Sequence, residues 1–117
     1  MNDHLVNQVR EICLRLPDAT EKLSHGEPTW FVKKVFCMFA DNHHDSRVAI
    51  WLPAAVGVQE MLVESEPDKF FRPPYVGVKG WIGVYLDNDP NWEEIEGLIL
   101  ESYRIIAPPK SLAKLAD

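Results

Sequence analysis

Cysteine is scarce in this chain, and positive charge is in deficit. Of 117 residues only two are cysteine, Cys13 and Cys37. That is too few for a disulfide framework, and the C-x-x-C spacing of zinc and redox sites is missing. Their neighbours, Ile12 and Leu14, Phe36 and Met38, are apolar, the setting in which a free cysteine acts as a small buried hydrophobe. Lysine and arginine number 12 against 18 aspartates and glutamates, a net charge of −6. Such a balance argues against a uniformly basic nucleic-acid binder and against a polybasic membrane-surface protein. No apolar run approaches the ~20 residues that span a bilayer. Residues Met1 to Arg10 lack the cationic-then-apolar order of a signal peptide. A cytoplasmic monomer with no membrane contact is the expectation. P-loop, dinucleotide-fold and H-E-x-x-H motifs are also missing. With no nucleophile or general base to assign, neither an enzyme nor a cofactor is expected.

What is present is globular. The hydrophobic fraction of 46% and charged fraction of 26% sit near the averages of folded domains. The length suits one core and a single domain over residues 1–117. From Asp3 to Leu16 apolar residues fall at Leu5, Val9, Ile12, Cys13 and Leu16, one face of a helix that Asp3 can cap and Pro17 stops. Lys22-Leu23-Ser24 is a weak strand, followed by a turn at His25-Gly26-Glu27-Pro28. Thr29 to Val32 and Val35 to Phe39 are rich in β-branched and aromatic residues, flank Lys33-Lys34, and read as strands. A polar loop from Asp41 to Ser46 leads into a strand from Arg47 to Leu52, completing an antiparallel meander.

Two strands alternate informatively. Val48, Ile50 and Leu52 share one face, with Arg47, Ala49 and Trp51 on the other; Ile82, Val84 and Leu86 oppose Trp81, Gly83 and Tyr85. The sheet therefore has an aliphatic side suited to helices and a side of large aromatics that needs a cover or a partner. Between these strands Ala54 to Ser65 reads as a helix burying Val58, Met61 and Leu62. Lys69 to Gly80 is an extended excursion. Asp89 and Pro90 suit the N-cap and first position of a helix whose inward stripe is Trp92, Ile95, Leu98, Ile99 and Tyr103. Pro108-Pro109 precedes a short terminal helix from about Lys110. The fold class is α+β, an antiparallel sheet with helices packed on one face.

Charge is unevenly spread. Pro28 to Ala40 and Lys69 to Leu86 contain no acid and hold Lys33, Lys34, Lys69, Arg72 and Lys79, whereas Asp87 to Glu101 holds six acids and no base. If the two acid-free segments lie side by side, an acidic protein presents a basic surface, with phosphates held by those five side chains and bases stacked on nearby aromatics. Solvated turns with ordinary surface lysines are the other reading. His43-His44-Asp45, with Asp41 before it, offers metal donors, but adjacent side chains diverge and a closed site needs ligands from elsewhere. No metal is expected there. Ser24, His25 and Glu27 are too close in sequence to form a nucleophile–base–orienter set, so a turn is the better reading.

Leu16-Pro17-Asp18-Ala19-Thr20-Glu21, His25-Gly26-Glu27-Pro28-Thr29-Trp30, Val35-Phe36, Gly80-Trp81 and Glu101-Ser102-Tyr103-Arg104 together resemble the MmcQ/YjbR family over nearly the whole chain. The resemblance implies a fold similar to CyaY, the bacterial frataxin, and DNA binding through a double-wing arrangement. It would set the first wing at the Lys33-Lys34 turn and the second in the excursion holding Arg72 and Lys79 and leading into Trp81. Where family members often carry glycine at the first turn, Val32-Lys33-Lys34-Val35 has none, although two-residue hairpin turns favour residues that accept positive φ. The expected function is phosphate contact, to DNA, by these basic wings. A second reading is a protein-interaction module working through Trp51 and Trp81. A third, frataxin-like iron binding, meets a first helix with only Asp3 and Glu11 against Arg10 and Arg15, and shared fold is weak warrant for shared chemistry.

Overall fold

A computed structural model describes residues 3–41 and 47–115. Helix α1 spans Asp3–Leu14 and is followed by strands β1 (Thr20–Ser24), β2 (Glu27–Val32), β3 (Lys34–Asp41) and β4 (Val48–Leu52). Then come α2 (Val58–Ser65), β5 (Phe70–Phe71), a 3₁₀ turn at Val76–Lys79, β6 (Ile82–Tyr85), α3 (Trp92–Ile106) and α4 (Pro109–Leu112). The sheet is antiparallel with order β1-β2-β3-β4-β6-β5. Its first four strands form the anticipated meander. The short edge strand β5, hidden inside the excursion, adds itself outside β6 and was not foreseen.

The core lies between one sheet face and α1 and α3. Val48, Ile50 and Leu52 meet Ile82, Val84 and Leu86 there, with Leu5, Val9, Ile12 and Cys13 from α1 and Ile95, Ile99 and Tyr103 from α3. These are the periodic stripes of the sequence, each such side chain contributing roughly 1.5–3 kcal/mol on burial. Trp92 and Leu98, also on the α3 stripe, are partly buried against it. Cys13 and Cys37 are both buried and free, and burial, with Cys13 alongside, pushes the Cys37 thiol well above its ordinary pKa.

One local irregularity sets the packing. The β2–β3 register passes from Trp30↔Cys37 to Phe31↔Val35, so Phe36 is an extra residue, a β-bulge. The bulge lets consecutive residues Phe36 and Cys37 both be fully buried, which strict alternation forbids. Phe36 then meets Tyr103 edge to face at 5.4 Å, and its carbonyl accepts a hydrogen bond from Ser102 Oγ at 2.9 Å.

Several boundaries move for identifiable reasons. Helix α1 ends at Leu14 rather than Leu16, because the residue before a proline is pushed out of helical geometry. The β1–β2 turn narrows to His25-Gly26, both with positive φ (53° and 81°), as a two-residue hairpin requires; Glu27 and Pro28 join β2, and β1 lengthens to begin at Thr20. Helix α2 starts at Val58 after a left-handed Gly57. Its fully buried residue is Gln59; the expected Leu62 is partly buried against the core, as is Val63, while Met61, also expected inside, is 59% exposed. Gln59 sets this phase by donating to the Gly77 carbonyl at 2.9 Å and the Trp81 carbonyl at 2.6 Å. Asn91, not Asp89, caps α3 through its side chain and the Glu94 amide at 3.1 Å; Asp89 instead takes a left-handed turn position (φ 57°).

Polar tethers connect the layers. Glu21 on β1 accepts two hydrogen bonds from the Arg10 guanidinium, at 2.8 and 2.9 Å, and one from Trp30 Nε1 at 2.9 Å. The Arg10 hydrogen bond, opposed by partial burial and supported by Trp30, holds the Glu21 carboxyl below its usual range. Tyr103 Oη donates to the Pro17 carbonyl at 2.6 Å. Asp18 accepts from Ser111 Oγ at 2.7 Å and from Lys114 Nζ at 3.0 Å, joining the loop after α1 to α4.

Candidate nucleic-acid interface

The Lys33-Lys34 turn, expected as the first wing, is a very tight hairpin. Lys34 already pairs with Val32, leaving Lys33 as a one-residue tip with φ 74°. Buried Val32 and Phe36 on its two sides pin the register, so the tip residue must accept the left-handed conformation despite having a Cβ, at a cost on the order of 1–2 kcal/mol. Both lysines are exposed. A two-residue turn at Lys33-Lys34 is thereby corrected: the bulge at Phe36 takes up the extra residue.

The excursion expected to hold the second wing is the chain between β5 and β6. Arg72 leaves β5, Pro73 and Pro74 extend it, and Tyr75 (φ 65°, ψ −64°) reverses it in a γ-turn closed by the Val76 amide and the Pro74 carbonyl at 2.6 Å. The 3₁₀ turn ends at Lys79, with Gly80 (φ 87°) as its left-handed cap. Gly77 matters for close approach, since a Cβ there would stand 2.8 Å from Arg72 Cγ. The Arg72 stem therefore lies along the 3₁₀ turn. Gln59 acts as the clamp: its amide nitrogen holds the Gly77 and Trp81 carbonyls, and its oxygen faces Arg72 Nη1 at 3.5 Å.

Strand register places the two basic segments relative to each other. Met38 pairs with Trp51, Trp51 with Gly83, and Gly83 with Phe71. The end of the sheet where β4 finishes and β6 begins is thus the end from which the Lys33-Lys34 tip projects and at which Arg72, Lys79 and Trp81 sit. Strand β3 lies three strand spacings from β5, about 14 Å. The two segments share an end of the sheet without touching.

Ion pairing sorts the basic residues. Arg10, Arg15, Arg47, Lys69, Arg104 and Lys114 each stand 2.8–3.9 Å from a carboxylate. Lys33, Lys34, Arg72 and Lys79 have no such partner among the described residues, and neither do Lys22 on β1, which lies over the Phe31 ring, and Lys110 on α4. Lys69 departs from the others on the expected list. It bridges Glu66 at 3.2 Å and Glu94 at 3.4 Å, which raise its pKa, and it sits at the opposite end of β5, beside Tyr85. Trp81 is half-buried, with its carbonyl engaged by Gln59. The same topology gathers Asp87, Asp89, Glu93 and Glu94 at that opposite end, where β6 leads into α3. Burial pushes the Asp87 carboxyl up, but hydrogen bonds from Arg47 and the Val48 amide outweigh it and hold the pKa low. The basic end also holds acids: Asp18 and Glu21, where β1 begins opposite Phe31, and Glu60 in the first turn of α2.

The aromatic face of the sheet has a cover. Phe71 lies where Gly83 has no side chain, its ring 2.2–2.5 Å from where a Cβ would be, and stacks on Tyr85 with ring centres 4.6 Å apart. The Arg47 guanidinium sits 3.8 Å over the other ring. Trp51 is only 6% exposed, so it offers no open platform. Beside it is a cleft of about 520 Å³ between the His25 turn and Tyr75-Val76, with Glu27, Met38 and Ala40 on its walls. Sequence reasoning treated His25 to Glu27 as a turn and Trp51 as one of several aromatics; nothing local signalled that the excursion folds back to enclose a cavity. Among the described residues no three potential metal ligands come together, and His43-His44-Asp45 lies outside them. No helix among those residues is long and apolar enough to cross a membrane.

Comparisons with known proteins agree on the architecture. The YjbR family model matches residues 14–105. The crystal structure of Deinococcus radiodurans protein DR2400, with a DUF419 domain, is similar with a TM-score of 0.71 at 19% identity, covering 86% of this chain and 76% of that one. At that identity the likeness is one of fold. No curated protein matches the chain in sequence.

Proposed function

The chain belongs to the YjbR family, and from that premise we propose that it is a non-enzymatic protein binding DNA through two basic wings at one end of its sheet. The observation that carries this reading is the pairing pattern: Lys33, Lys34, Arg72 and Lys79 carry no ion pair among the described residues and share the end of the sheet away from Asp87, Asp89, Glu93 and Glu94. Charges already neutralised by neighbours contribute little to phosphate contact, whereas unpaired ones release counterions when they meet it. The net charge of −6 opposes approach from most directions, but screening over about 8–10 Å at physiological salt makes the local surface decide. A separation of about 14 Å between the wings suits contacts across a groove of about 12 Å. Lys69 is a lesser contributor because of Glu66 and Glu94, and Trp81 flanks the second wing rather than offering an open stacking face. The adaptor reading draws no support from Trp51, whose ring is covered.

Amide chemical shifts on titration with a short duplex and with single-stranded DNA test the proposal. Expected are saturable changes at residues 32–35 and 72–80, with the α1–α3 side silent. Absence of any change at low salt, or changes centred on the acidic end, would overturn it.

A further inference from the structure

We propose that Tyr75, between Arg72 and Lys79, is a stacking platform for an unpaired base of the bound DNA. The inference rests on the DNA reading above and adds contact with a base to contact with phosphates. Tyr75 is 88% exposed. Every other aromatic side chain among the described residues is buried or half-buried, so this ring alone of them stands open to solvent. Arg72 lies three residues before it and Lys79 four residues after, both exposed, and at most about 14 Å of chain separates it from either. Val78, 79% exposed on the same 3₁₀ turn, extends the apolar surface.

Neither the turn nor the core accounts for an aromatic here. The γ-turn holds Tyr75 at φ 65° and ψ −64°, a rare and strained geometry for a residue with a side chain, and glycine would adopt it more readily. The mount is stiff. Pro73 and Pro74 lead into it, the Gly77 amide donates to the Pro73 carbonyl at 3.0 Å, and Gln59 holds the Gly77 carbonyl at 2.9 Å. A ring carried on a fixed backbone loses less freedom when a partner settles on it. An exposed aromatic flanked by cations matches a nucleotide: phosphates meet Arg72 and Lys79, and the flat base meets the ring. Bases inside a duplex are covered by their neighbours and must be unstacked before a side chain reaches their faces. An unpaired base offers its face directly.

Fluorescence anisotropy with the full chain tests this on two end-labelled strands of equal length, oligothymidine and an abasic deoxyribose-phosphate chain that keeps the phosphates and lacks the bases. The wild type is expected to bind oligothymidine about fivefold or more tightly than the abasic strand. Tyr75→Ala should weaken oligothymidine by about that factor, bring the two strands level, and leave the salt dependence unchanged, because no charge is lost. Tyr75→Phe should retain the preference. Tyr75 is exposed, so its variants keep the fold, and unchanged unfolding midpoints verify this. Equal, salt-dependent binding of the two strands by the wild type, or full oligothymidine affinity in Tyr75→Ala, would overturn this inference and leave the phosphate contacts standing. Binding of a duplex but of neither strand would do the same. Binding of none of the three at low salt would remove the DNA reading and this inference together.

Discussion

The α1–α3 side of the molecule and the wing end of the sheet treat polar side chains in opposite ways. On the first, Glu21 is shared between Arg10 and Trp30, Ser102 reaches the Phe36 carbonyl, and Tyr103 reaches Pro17. Each polar atom is satisfied inside the chain. At the wing end the cations Lys33, Lys34, Arg72 and Lys79 have no carboxylate partner among the described residues. A satisfied group fixes how elements dock, since losing its partner leaves a desolvated donor or acceptor. An unsatisfied exposed charge does almost nothing for folding and remains available to something outside. The contrast separates residues that encode the fold from those positioned to act.

Mutations on the two sides should therefore differ in kind. The largest effect is expected for Trp30→Ala, which empties a fully buried site and removes one of the three hydrogen bonds to Glu21. Urea unfolding should show a loss of about 3–5 kcal/mol, and a loss below 1 kcal/mol would blur the contrast. Glu21→Gln should cost about 1–3 kcal/mol at neutral pH and flatten the acid limb of stability. The sign follows from the lowered carboxyl pKa: the stabilisation is complete above the ordinary value of 4.5 and is lost as pH falls through the folded-state value. Denaturation midpoints across pH 2–7, compared between wild type and variant, check this. Tyr103→Phe deletes only the hydroxyl that donates to Pro17 and should cost roughly 1 kcal/mol.

At the wings the effects on stability should be small or reversed. Lys33→Gly places the permissive residue where φ is 74°, relieving a penalty of about 1–2 kcal/mol against about 0.4–1 kcal/mol of added unfolded-chain entropy; it should stabilise the chain by up to about 1 kcal/mol while removing one phosphate contact. A destabilised Lys33→Gly would mean that the tip does not adopt this geometry.

How much of this was legible in the sequence follows the same division. The stripes of α1 and α3 and the alternation of β4 and β6 were readable because their periods are local. Phe36 and Cys37 were not separable into faces, because the bulge that buries both depends on β2. Strand β5 has two residues and needs β6 to exist. Gln59 points inward on account of carbonyls 18 and 22 residues away, and Lys69 is neutralised partly by Glu94, 25 residues along. The family-like segments are legible for a physical reason. Glu21, Trp30, Phe36, Ser102 and Tyr103, all within them, are tether or core residues, so they announce the fold and leave chemistry to residues outside the signature.

The salt dependence of DNA affinity tests the division most directly, measured for the wild type and for a variant with Lys33, Lys34, Arg72 and Lys79 all replaced by alanine. With four phosphate contacts, log affinity should fall with log salt at a slope of about −3.6 for a duplex. The variant should lose nearly all of that slope while each substitution changes stability by no more than about 0.5 kcal/mol. Undetectable binding by the wild type at low salt, or an undiminished slope in a folded variant, would contradict the account.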